Sequence, residues 1–221
     1  STLFQYNYSQ REGGGVYCGG YSNSILRECL FRSNRGSSYG GAVWAGFPLA
    51  VDLCLFEDNL SGNSGGGVYA SNELKISRSR FFNNKAKNGG GVYLDSSTLF
   101  LIHNSSFLEN EATAGNGGAV YLKKWGQNEH VSLASCMFAS NKASGAGGAL
   151  KVGGGSFSPV INCTFYKNEA GNGGAIHEDG TALELYNSIV SENGANAVPD
   201  KEYSSRNVIE TSTAAELFVN P

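Results

Sequence analysis

Two short motifs alternate along the whole chain and constrain its fold more than any other feature. The first, Phe-x-x-Asn, occurs at Phe4–Asn7, Phe31–Asn34, Phe56–Asn59, Phe81–Asn84, Phe107–Asn110, Phe138–Asn141 and Phe165–Asn168, with a degenerate copy at Val190–Asn193. The second, Gly-Gly-(Ala/Gly) followed by a β-branched or aliphatic residue, ends at Val16, Val43, Val68, Val92, Val120, Leu150 and Ile176. Copies recur every 24 to 31 residues and never break their alternation. A period of that length predicts a solenoid, in which each repeat packs only on its neighbours.

Further columns appear when the repeats are aligned on Phe. Five residues before it stand Leu26, Val51, Ile76, Ile102, Leu133, Val160 and Leu185; seven before it, residues such as Leu49, Leu74 and Phe100. Two before it stand Cys29, Cys54, Ser79, Ser105, Cys136, Cys163 and Ser188. Alternation with period two marks strands. The change of parity between the fifth and second positions before Phe requires a corner, and Asn104, Ser135, Asn162 and Asn187 occupy it with side chains that tolerate turn geometry. The Gly-Gly half leads into a third strand. Three short strands per repeat predict an all-β, right-handed parallel β-helix of about seven or eight coils, stacked at about 4.8 Å. Residues 1–193 read as the repeats and 194–221 as a terminal rung or tail. The chain opens in mid-repeat at Phe4 without a capping element, so a section of a larger chain or assembly is expected.

Most recurring residues have a structural use. The Asn column predicts a ladder of side-chain amides along the rod. The glycines mark tight bends where a Cβ would clash, and the variable polar segments before them read as surface loops. The five cysteines fall in inward columns, two of them on consecutive coils at Cys29/Cys54 and two at Cys136/Cys163; buried free thiols are expected. Asn7, Asn59, Asn104 and Asn162 begin glycosylation sequons, read as chance matches.

Composition excludes several function classes. A net charge of −3 and no basic stripe argue against nucleic acid. No segment has the apolar length to span a bilayer. No phosphate loop follows the glycines, no Cys spacing suggests zinc, and neither cofactor nor metal is expected. Acid–base chemistry on polysaccharides needs clustered carboxylates, but the five Asp are scattered, and no two are read as sharing a column.

The outward position after each inward Val, Leu or Ile carries Tyr17, Trp44, Tyr69, Tyr93, Tyr121, Lys151 and His177. Tyr121, Lys151 and His177, with Glu178 and Asp179 beside them, are the residual candidates for catalysis. The aromatic members, Tyr17, Trp44, Tyr69, Tyr93 and Tyr121, predict a ladder suited to sugar rings or protein contact. Trp125, on an insertion between Leu122 and Val131, is a further contact candidate.

The alternating tetrapeptides resemble the chlamydial polymorphic outer-membrane protein repeats. The resemblance is best at Gly117–Val120 with Phe138–Asn141, and at Phe165–Asn168 with Gly173–Ile176, and it runs from Phe4 to Asn193. It implies an autotransporter passenger: a secreted, cell-surface adhesin associated with the outer membrane, whose partner is a host protein or glycan. A polysaccharide-active enzyme on the same fold and a structural filament or spacer that stacks end to end are the alternatives.

Overall fold

A computed structural model describes residues 1–95, 99–123, 130–153, 159–179, 184–195, 197, 204–206 and 209–211. Four parallel sheets run along a coiled chain, with nine, seven, seven and eight strands. One coil illustrates the order. Cys29–Arg32 lies in the Phe sheet, Arg35–Gly36 in a short sheet, Val43–Ala45 in the Tyr sheet and Leu49–Asp52 in the Leu sheet. Each strand pairs with its equivalents one repeat away, so that Phe31 stands opposite Phe56 and Val43 opposite Val68. The three expected sheets are present. The short sheet is an addition: the first residues after each Asn, in segments read as loops, pair as strands of two to five residues. Near the end of the described chain, Ser204–Arg206 and Ile209–Thr211 pair onto the Leu and Phe sheets.

Three left-handed corners turn each coil. One is the residue before the ladder Asn, as at Ser33 and Asn83; one is the residue before the Cys/Ser position, as at Asn104 and Ser135. The third is the first glycine of the Gly-Gly motif, as at Gly40 (φ +64°). A single left-handed residue reverses the facing of the side chains that follow it, which is the parity switch seen in the sequence. The second glycine has a different reason. A Cβ on Gly41 would lie 2.1 Å from the carbonyl oxygen of Gly66 on the next coil, so no side chain fits. The third position is roomier. Ala42, Ala119, Ala149 and Ala175 fill it and are wholly buried.

Inside, seven phenyl rings from Phe4 to Phe165 form one stack, with centroids 4.5–5.0 Å apart and planes within 7°. Val190 takes the position in the next coil. Beside them the Asn side chains form an unbroken ladder from Asn7 to Asn193. Asn84 shows the unit. Its Oδ1 accepts from the backbone N–H and the Nδ2 of Asn59, at 3.1 and 2.9 Å. Its Nδ2 donates to the carbonyl of Phe56 and to Oδ1 of Asn110, both at 3.0 Å. Every polar atom of the buried amide is thus satisfied. The Cys/Ser column works alike. Ser79 Oγ donates to the Ser77 carbonyl at 2.7 Å and accepts from Cys54 N–H at 3.0 Å, while Cys54 Sγ donates to the carbonyl of Asp52 at 3.3 Å. All five cysteines are unbridged.

Candidate functional site

The outward column of the Tyr sheet is held in register by pairing from Tyr17 through Trp44, Tyr69, Tyr93, Tyr121 and Lys151 to His177. Alternation forces this, because the residue before each faces the core, buried from Val43 to Ile176 and partly buried at Val16. Tyr17 and Trp44 stack at 4.5 Å with planes 6° apart. The parallel run continues through Tyr69 to Tyr93, at 6.4 and 5.4 Å. Tyr121 breaks it by turning edge-on to Tyr93 at 82°.

The column divides by exposure. Tyr17 is 59% exposed and Trp44 half-buried, whereas Tyr69 and Tyr93 are only 7% and 8% exposed. Tyr39, from the segment before Gly40, lays its ring against Tyr69 at 4.8 Å. Asp95 accepts the Tyr69 hydroxyl at 3.1 Å and Lys123 Nζ at 2.9 Å. Burial, and then the Asp95 charge, raise the pKa of both Tyr69 and Tyr93. These two rings support the stack and offer no open face. Trp125 lies outside the described residues.

The three residual candidates for chemistry do come together. Lys151 is 4% exposed. Asp179, on the turn after the strand Ile176–Glu178, reaches back one coil and meets Lys151 Nζ at 2.5 Å. The same carboxylate oxygen is 3.4 Å from His177 Nε2. Burial and the neighbouring Lys151 charge hold His177 below its ordinary value, against the pull of Asp179. The imidazole is therefore neutral near pH 7, and the tautomer that serves Asp179 carries its proton on Nε2. His177 Nδ1 is buried without a partner. Burial acts to raise Asp179, but the Lys151 hydrogen bond and charge outweigh it, and the carboxyl stays below the usual range. Burial also raises Tyr121, with the Asp179 charge adding to it. The cluster therefore holds a neutral imidazole and a carboxylate on a buried ammonium, all within proton-transfer reach.

One statement from the sequence needs correcting. Asp95 and Asp179 do share a column: each is the first residue after a Tyr-sheet strand, and their backbone N–H groups bond the equivalent carbonyls of Ala70 and Val152. Each reaches back to the outward side chain of the preceding coil, Tyr69 or Lys151. Counting three residues on from Val92 and Ile176 would have found them. Among the described residues no group of three or more His, Cys, Asp or Glu is placed to hold a metal ion, and no helix is long and apolar enough to cross a membrane.

The uninterrupted coil stack with its Asn ladder defines the class as a parallel β-solenoid. The chain belongs to the right-handed β-helix family, whose sequence model, described as "right handed beta helix region", matches residues 1–138. Residues 162–177 match the Chlamydia polymorphic membrane protein repeat. Together the two matches point to a surface- or outer-membrane-associated repeat protein. Neither a curated protein nor a solved structure gives a significant match.

Proposed function

We propose that this β-helix is a non-catalytic, cell-surface adhesin or passenger segment that binds a host protein or glycan. The observation that carries the reading is the Tyr17–Trp44 stack, a flat aromatic platform exposed at Tyr17 and braced from behind by buried Tyr69 and Tyr93. Recurring residues elsewhere are taken up by the core, ladders and corners, whereas this platform has no use in packing that requires its exposure. Aromatic side chains of this kind dominate binding energies at interfaces. The test is attachment of the purified protein to cultured cells and to immobilised glycans. Trp44→Ala is expected to weaken attachment about tenfold or more, equivalent to about 1.4 kcal/mol, while the protein keeps a single cooperative unfolding transition. Attachment by wild type and variant alike would remove the platform from the reading, and no attachment by wild type would favour a spacer or filament.

A second reading is favoured by the Lys151–Asp179–His177 cluster: a polysaccharide lyase or hydrolase with its proton transfer at that point. Turnover of uronate polymers, read as rising absorbance of unsaturated products and lost in Lys151→Met, supports it. No turnover over a panel of such polymers removes it.

A further inference from the structure

Where the Leu sheet meets the Phe sheet, the outside of the solenoid is concave. A groove of about 640 Å³ runs along the axis across four coils. Its lining includes the exposed left-handed corner residues Asn104, Ser135 and Asn162 and the buried Ser79, Ser105 and Cys136. One wall is an outward row of the Phe sheet, with Arg80, Ser106, Met137 and Thr164 stacked in register.

The chemistry of this lining is uniform except at one end. Asn104, Ser106, Ser135, Asn162 and Thr164 make no side-chain hydrogen bond to any described residue. Two carboxamides and three hydroxyls, all of them both donor and acceptor, thus face one channel with their capacity unspent. Met137 is the one large apolar side chain there, 43% exposed. Arg80 stands at one end with its guanidinium 5.2 Å over the Phe82 ring and with no carboxylate partner among the described residues. Arg78 beside it is already held by Asp52, in two bonds of 2.9 and 2.7 Å. No Asp or Glu lines the groove.

These features select a ligand class. An extended peptide would need a free strand edge or side-chain pockets, but the backbone here is paired coil to coil, as in Ser106 N–H to the Ser79 carbonyl and Thr164 N–H to the Cys136 carbonyl. A polyhydroxylated chain needs what is present: small amphoteric groups repeated at about the strand spacing of 4.8 Å. The unpaired guanidinium adds a site for a carboxylate or sulfate. We propose that this groove binds an acidic oligosaccharide, its hydroxyls met by the Asn, Ser and Thr row and its anionic group by Arg80. The proposal rests on the surface-binding reading and adds a ligand class at a face remote in the coil from Trp44.

The test is a calorimetric titration of the whole chain with an oligogalacturonate, a heparin-derived oligosaccharide and an uncharged cello-oligosaccharide. Binding is expected for at least one charged probe, weakening with added salt, and not for the uncharged one. The two charged probes distinguish a carboxylate from a sulfate ligand. Arg80→Gln is expected to weaken binding at least tenfold. Ser106→Asp, which places a carboxylate in the channel, should abolish it. Both substitutions are at surface positions, and melting temperatures confirm the fold. The proposal is overturned if neither charged probe binds, or if binding survives Arg80→Gln and Ser106→Asp. Cell attachment by wild type that persists in Ser106→Asp would defeat the groove and leave the surface-binding reading standing. Oligosaccharide binding without cell attachment would do the reverse.

Discussion

Individual residues in this repeat are chosen for backbone conformation as much as for packing. Leu53 sits at a left-handed corner, φ +53°, where Asn104 and Asn162 stand in later coils. A left-handed residue with a Cβ costs about 1–2 kcal/mol, and Leu53, 41% exposed, recovers little of that by burial. Leu53→Asn is therefore expected to stabilise the protein by about 1 kcal/mol, read as a higher urea midpoint at constant slope. The glycines give the opposite test. Gly41→Ala would force a methyl to 2.1 Å from the Gly66 oxygen and should cost about 3 kcal/mol, the upper range for overpacking. Gly15→Ala meets nothing nearer than 3.1 Å, the Ala42 oxygen, and should stay within about 1 kcal/mol of wild type. The motif's third letter was legible as variable because Ala already occurs there; the reason for the second glycine is a contact with the next coil, which the sequence cannot display.

The ladders are the elements of this fold, since each strand is too short to stand alone. Removing the Asn84 side chain leaves Asn59 N–H and one Asn59 Nδ2–H without partners in the interior and takes one donor from the Phe56 carbonyl. Each such loss costs about 1–3 kcal/mol, so Asn84→Ala should destabilise by about 4 kcal/mol or more in denaturant titrations. At the Tyr sheet, the alternation of the sequence put seven outward side chains in one column, but not their exposure. Tyr39, from the variable segment before Gly40, and Asp95, from the turn after Leu94, both meet Tyr69, and only the register of neighbouring coils brings them onto its ring and hydroxyl.

At the scale of the molecule, thiol and proton chemistry report on the closed core. Denatured protein should yield five reactive thiols. In the native state Cys18 and Cys29, half-buried, should react first. Burial pushes Cys54 up to about 11, and contact with Cys136, with burial adding, raises Cys163, so both should label only on opening of the coils. Acid acts through His177 and Asp179. His177 is held below its ordinary 6.5, so as pH falls through that value the unfolded chain binds a proton that the folded chain refuses, and stability drops. Asp179, depressed below 3.8, contributes stability above that pH which is lost as the pH falls towards its folded value. The melting temperature should therefore decline in two stages, and His177→Gln should flatten the first.

The period, the strand parity and the inward Phe, Val and Asn columns were all present in the sequence alone, because a solenoid satisfies its core and backbone between identical positions one repeat apart. Repetition makes each long-range contact visible as a column. The tertiary structure alone decided what depends on unlike positions meeting: the burial of Tyr69 and Tyr93, the reach of Asp179 back one coil to Lys151, and the groove at the corner beside Arg80. Those arise where different columns of neighbouring coils meet, and a column has no information about what lies across it.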